Sequence, residues 1–239
     1  MTRKDKNTLV YVPVFNDFAV IEQIVEDIRG VLPSVTVLLI DDGSTKGPFA
    51  ASSVKNALHV RLPSNYGIGV CTHVAFDHAI IHEYDFVCRV DADGQHPVEH
   101  LSDMLQILSE QGADLVVGAR IAIGSNLQPD PILRRWVRAY FSVCARLLTG
   151  NSVLKDVNTG FFALNIGAVR RLNTYQLERY PEPQLFVRAA RIGLKMKLHS
   201  IERRDRLFGS SSLGLWAALK MVYRFNVLVL SEIMQRSER

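Results

Sequence analysis

Short β-branched runs separated by longer stretches of helical periodicity fill the first 119 residues, and this alternation suits a mainly parallel sheet built from βαβ units. Strands are expected at Leu9–Val14, Val35–Ile40, Asp85–Val90 and Leu115–Gly118, with a weaker one over Leu58–Leu62. Val20, Ile21, Ile24, Val25 and Ile28 would share one face of a helix over Ala19–Arg29, and similar spacing runs from Gly67 to His82. Pro97 and Gly112 bracket a third helix reaching Gln111, since proline suits a first helical turn and glycine a stop. After Arg120 the rhythm changes. A Gly/Pro/Asn/Ser loop (Gly124–Pro131) leads into a basic helix, a strand-like Phe161-Phe162-Ala163-Leu164, further helices and an apolar last helix over Leu213–Gln235. With 239 residues, 48% of them hydrophobic and no repeat or linker, residues 1–239 are expected to form one domain. Its parts are about 1–119, 120–212 and 213–235.

Charge divides the same way. Residues 1–119 hold 8 Lys and Arg against 16 Asp and Glu, a net −8, whereas residues 120–239 hold 20 against 8, a net +12. An acidic cluster is where a divalent cation could sit, and a basic surface suits phosphates or an anionic bilayer. Basic residues scattered through helices, without interleaved aromatics, give no nucleic-acid signature. Three cysteines, Cys71, Cys88 and Cys144, lack the spacing of a zinc ribbon or a disulfide framework, and a reducing cytoplasm fits them. The N-terminus has no small-residue cleavage site, and the longest charge-free run near the C-terminus, Leu207–Leu219, is short of the ~20 residues of a spanning helix. Neither a signal peptide nor a transmembrane segment is expected.

The chemistry-bearing segments follow apolar strands. Asp91-Ala92-Asp93-Gly94-Gln95-His96-Pro97 carries two carboxylates one residue apart, which strand alternation would put on one side, with the Gln95 amide oxygen nearby. Such an all-oxygen set at the carboxyl end of a strand suits Mg²⁺ or Mn²⁺; alone, it also reads as turn aspartates capping the Pro97 helix. Asp41-Asp42-Gly43-Ser44-Thr45 follows another strand and opens on the same edge. Asp41 also suits a turn that bonds its own backbone, and Asn16 a cap for the Ala19 helix. His96 reads as a cap or supporting group more readily than as a ligand.

Together with Val12-Pro13-Val14-Phe15-Asn16 and Asn65-Tyr66-Gly67-Ile68-Gly69, these segments resemble the family 2 glycosyltransferases of GT-A fold, along nearly the whole chain. Asp91–Pro97 is most similar to the dolichyl- and polyprenyl-phosphate sugar transferases. The resemblance implies an α/β, Rossmann-like, mainly parallel sheet flanked by helices, with a helical acceptor side towards the C-terminus. It implies a nucleotide-diphosphate sugar as donor, met by Pro13, Asn16 and Asp42, and a metal held by Asp91, Asp93 and Gln95. Ile68 stands where the family often has lysine, so a phosphate contact from that side chain is absent.

On the basic side, Arg120 and Arg135 match arginines that clamp an acceptor phosphate, while Arg134 and Arg138 read as a solvated helix face. Asp156-Val157-Asn158-Thr159-Gly160-Phe161 resembles the family's D-x-x-TGF element at the sugar pocket, and Glu182 a sugar-binding or base residue, although it equally suits a helix start. Arg206 to Ser212, with Ser211, resembles a loop that closes over the diphosphate; Ser212 replaces the lysine of many dolichyl-phosphate enzymes, with Arg203 and Arg204 available to compensate. The implied reaction is an inverting transfer to a polyprenyl phosphate, whose oxygen is already anionic and needs no strong base. Two alternatives stay open. A glycan or glycolipid hydroxyl acceptor would need Glu182 or Asp156 as base, and a non-catalytic nucleotide-sugar-binding protein would keep the fold without the chemistry. The location implied is cytoplasmic, with peripheral contact at the cytoplasmic face of the membrane. The sequence does not specify the oligomeric state.

Overall fold

The computed structural model describes residues 7–46, 54–120, 132–150, 159–202 and 222–227. Among these residues seven strands form one sheet: β1 (Thr8–Val14), β2 (Thr36–Asp41), β3 (Leu58–Arg61), β4 (Phe86–Arg89), β5 (Leu115–Arg120), β6 (Phe162–Asn165) and β7 (Met196–Ile201). Their spatial order is β3-β2-β1-β4-β6-β5-β7. All pairings are parallel except those of β6, which runs antiparallel to both β4 and β5. The expected mainly parallel sheet is therefore present, and the reversed strand β6 takes up the last three residues of the strand-like Phe161–Leu164 segment and runs on to Asn165.

Residues of β1 alternate between two cores. Leu9 and Tyr11 join Leu38, Ile40, Cys71 and Phe76 on one face, whereas Val10, Val12 and Val14 join Val37, Leu39 and Cys88 on the other. Helices cover both faces, which is why these central strands read as unbroken apolar runs. α1 (Ile21–Val31) and α3 (Leu101–Glu110) pack on the second face. The first receives α2 (Ile68–Ile81), α4 (Ile132–Thr149), α5 (Ile166–Leu172) and α6 (Glu182–Arg191). Pro97 precedes a 3-10 turn, Val98–His100, that leads into α3, so the regular helix starts four residues later than proline alone suggests. Asn165 caps α5 by accepting from the Ala168 N–H at 2.8 Å. The three cysteines are free, as their spacing implies.

Of the last expected helix, residues 222–227 are described and helical. Phe225 is buried, its ring 4.6 Å from that of Phe141 on α4, so this part docks on the sheet's own helical layer.

Candidate active site

Parallel pairing brings the carboxyl ends of β1, β2 and β4 to one edge of the sheet. There a cleft of about 210 Å³ is lined by Pro13, Val14, Phe15, Asp17, Asp42, Ile68, Cys71, Asp91, Ala92 and Asp93. Pro13 and Asp42, implied for the donor, and Asp91 and Asp93, implied for the metal, thus border one space, with Ile68, where no phosphate contact is expected, beside them. Strand alternation is not what aligns the two carboxylates, because β4 ends at Arg89 and both acids lie in the following turn. Asp93 Oδ1 accepts from the Gln95 N–H at 3.1 Å. The Asp91 N–H donates to His96 Nδ1 at 2.9 Å, and the His96 ring lies 5.0 Å from that of Phe161. His96 therefore supports the turn from beneath. Its Nε2 stands 3.5 Å from Asp91 Oδ2.

At the β2 exit, Asp42 is buried and both its oxygens meet the backbone after β3. Oδ1 accepts from Tyr66 N–H at 2.7 Å and Oδ2 from Gly67 N–H at 2.8 Å, with the Asn65 amide at 3.0 Å. Burial raises its pKa, against the pull of those two backbone donors. Asp41 Oδ1 accepts from Ser44 N–H at 2.9 Å, the turn bond that its sequence context suggests. Asn16 is no helix cap: α1 begins at Ile21, and the Asn16 side chain instead accepts from Thr45 N–H (2.9 Å) and Lys46 N–H (2.8 Å), binding the β1 exit to the β2 exit.

Gly67 and Gly69 let another segment of the chain come close. A Cβ on Gly69 would lie 2.1 Å from the Glu178 carbonyl oxygen, and one on Gly67 2.3 Å from the Arg179 side chain. The segment 177–179 thus crosses the start of α2, where Arg179 O accepts from Ile68 N–H at 3.1 Å.

The residue that sequence reasoning missed is Arg89. It is 1% exposed, in register with Tyr11 on β1 and Phe162 on β6. Its Nε and Nη2 reach Asp91 Oδ1 at 2.9 and 2.8 Å, a forked contact. Nη1 lies 2.8 Å from Glu182 Oε1 at the start of α6, close enough to pair charges although off the N–H direction. Burial alone would lower the guanidinium pKa, but Asp91 and Glu182 outweigh it and hold the charge in place. Gly160 makes room for the pair: a Cβ there would stand 2.5 Å from Asp91 Oδ2 and 2.7 Å from Arg89 Nη2. The Thr159-Gly160-Phe161 element thus backs the acidic turn. A visible signal was available, since Arg89 is the lone charge in the apolar run Phe86–Val90 and an inward charge needs a counter-ion.

Tyr11 hydroxyl meets Thr72 Oγ1 at 3.1 Å beneath the cleft, and burial raises the pKa of Tyr11 and pushes the Cys71 thiol up to about 12. Arg120 is the last residue of β5 and Arg135 lies on α4. Asp156, Arg206 and Ser211 fall outside the described residues.

A family model described as Glycosyl transferase family 2 matches residues 9–171. Polyprenol monophosphomannose synthase from Mycolicibacterium smegmatis is 30% identical over 167 residues, 67% of this chain and 62% of that protein, so the match spans less than two thirds of it. Undecaprenyl-phosphate mannosyltransferase from Micrococcus luteus is 25% identical over 214 residues, 86% of this chain and 87% of that protein. Among solved structures, glucosyl-3-phosphoglycerate synthase from Mycobacterium tuberculosis, in complex with Mn²⁺ and uridine-diphosphate-glucose, superposes with a TM-score of 0.71 at 19% identity. That superposition covers 95% of this chain and 79% of the other and identifies the GT-A fold. Because the family match runs through β1 to β6 and includes every acid that lines the cleft, the chain belongs to the family 2 glycosyltransferases.

Proposed function

We propose that the chain transfers a sugar, with inversion, from a nucleotide-diphosphate sugar to a polyprenyl phosphate. The names of the two curated relatives support a polyprenyl-phosphate acceptor, and the Mn²⁺ and UDP-glucose of the solved neighbour support the donor class. Asp91, Asp93 and Gln95 offer only oxygen donors, a set that fits Mg²⁺ or Mn²⁺. The cation, when bound, neutralises charge that develops on the leaving diphosphate. Pro13, Asn16 and Asp42 would shape the nucleotide pocket, Asn16 and Asp42 by holding its loops together. Arg120 and Arg135 would meet the acceptor phosphate, with Arg206 and Ser211 on the diphosphate and Asp156 beside the sugar.

The observation that carries the acceptor class is the Glu182–Arg89 pair. A base for a hydroxyl acceptor must be available to take a proton, whereas Glu182 is buried and 2.8 Å from a buried guanidinium. A phosphate acceptor needs no such base. The hydroxyl-acceptor reading keeps Asp156 or Glu182 in that role and ranks the variants in the opposite order. Sugar transfer to a short-chain polyprenyl phosphate is expected to survive Glu182→Gln better than Arg135→Ala. Asp93→Asn should lower it by roughly 10²- to 10³-fold. A donor that binds but never turns over, across phosphate and hydroxyl acceptors alike, would sink both readings in favour of a binding protein.

A lipid acceptor would have to be met at a bilayer. Among the described residues no helix is long and apolar enough to cross a membrane. Trp136, Tyr140, Val143 and Leu147 nevertheless lie exposed at helical spacing along α4, opposite its buried Phe141 and Ala145. This stripe on the basic half supports peripheral contact with an anionic surface. Flotation with anionic liposomes, lost in Leu147→Glu, is the expected result.

A further inference from the structure

Away from the cleft, at the far edge of the sheet, three ligating side chains converge. His100 closes the 3-10 turn before α3, Asp103 lies three residues on, and His199 belongs to β7. His199 Nε2 is 2.9 Å from His100 Nδ1, and Asp103 Oδ2 lies 3.8 Å from the former and 4.0 Å from the latter. We propose that His100, Asp103 and His199 form a second divalent-metal site, specific for a borderline transition ion of the Zn²⁺ class, that fastens the edge strand β7 to α3.

The triangle of donor atoms sets the size of the ion. From sides of 2.9, 3.8 and 4.0 Å, the point equidistant from all three lies about 2.1 Å from each, the bond length of Zn²⁺ to imidazole nitrogen and carboxylate oxygen. A shift of a few tenths of an ångström towards equal edges opens a fourth position for water. The ligand chemistry sets the kind of ion. Two imidazoles and one carboxylate select Zn²⁺ over Mg²⁺, the reverse of the oxygen-only set at the cleft, so the two sites sort different metals. Two ring nitrogens facing each other at 2.9 Å can share at most one proton between them, and an ion accepting both lone pairs satisfies them together.

The location explains the use. Among the described residues β7 pairs on one side only, with β5, and just beyond the end of α3 the Lys197 ammonium donates to Gln111 Oε1 at 2.7 Å. A metal bridge would anchor that edge and guard it against stray strand pairing. The Asp103 side chain is 60% exposed, so an ion can enter from solvent.

The test is calorimetric titration of the full chain with Zn²⁺ in millimolar Mg²⁺, which competes for the oxygen donors of the cleft, accompanied by thermal melts. One Zn²⁺ per chain and a raised Tm are expected. Both should be lost in His199→Ala, with affinity weakened about 100-fold or more, since even changes beyond the ligands cost 10- to 100-fold. Asp103→Asn alters an exposed side chain, keeps the fold and should weaken Zn²⁺ as well, which covers the case of a His199 variant that does not fold. Absence of Zn²⁺ uptake by the wild-type chain, or uptake of equal strength in Asp103→Asn and His100→Ala, would overturn the site and leave a hydrogen-bonded histidine pair.

Discussion

Two acids stand at comparable places, Asp42 beyond β2 and Asp91 beyond β4, yet they are held by opposite means. Asp42 rests on main-chain donors, the N–H groups of Tyr66 and Gly67, with one side-chain amide in support. Asp91 rests on Arg89, a guanidinium that is itself buried and needs Glu182 as a second partner. The first arrangement is written into the path of the chain and survives most substitutions. The second is a commitment of specific side chains, because a buried charge stripped of its partner is expensive. It also welds the acidic turn to α6, so the acidic first half and the later half of the chain share one ion network.

Removing the guanidinium should have the largest effect. Arg89→Met leaves Asp91 and Glu182 facing each other without a cation, and about 3–5 kcal/mol of stability should be lost in urea denaturation. A loss under about 1 kcal/mol would mean that both exits are held alike. Gly160→Ala forces a methyl group against the same pair, and about 1–3 kcal/mol is expected, together with weaker Mn²⁺ binding at the turn. Asn65→Ala removes one of the three donors on Asp42 and leaves both backbone N–H groups. It should cost only about 0.5–1.5 kcal/mol, with donor affinity by thermal shift little changed. If Asn65→Ala proved the costliest of the three, the side-chain amide rather than the backbone would be holding the β2 exit.

The central strands were legible because they are buried on both faces, so β1, β2 and β4 read as apolar runs whose ends fall within a residue of the expected ones. Helices α1 and α2 are legible for a different reason, one buried face at helical spacing: Ile21, Ile24, Val25 and Ile28 in α1, and Cys71, Ala75, Phe76 and Ala79 in α2. β7 escaped notice: Met196-Lys197-Leu198-His199-Ser200-Ile201 is an edge strand with partly exposed polar positions, and such a strand has no dense apolar signal. The direction of β6 was equally hidden, since nothing within four residues tells a strand which way its neighbours run. At the candidate site, the residue types and their order were readable, but the bonds that fix them were not. The Asp42 donors lie 24 and 25 residues away, and the Arg89–Glu182 contact spans most of the later chain. The glycines of the Asn65–Gly69 segment point to a tight approach, without telling what approaches; it proves to be residues 177–179.

The reversed strand also governs the order in which a chain emerging from the ribosome can close its sheet. β4 is finished at Arg89, but its free edge waits until Phe162–Asn165 has been made, since Phe86 pairs with Asn165 and Arg89 with Phe162. Throughout that interval an apolar strand stands bare, and Glu182, due still later, has not arrived to balance its arginine. A nascent chain stalled between the two strands should therefore be the form most in need of a chaperone.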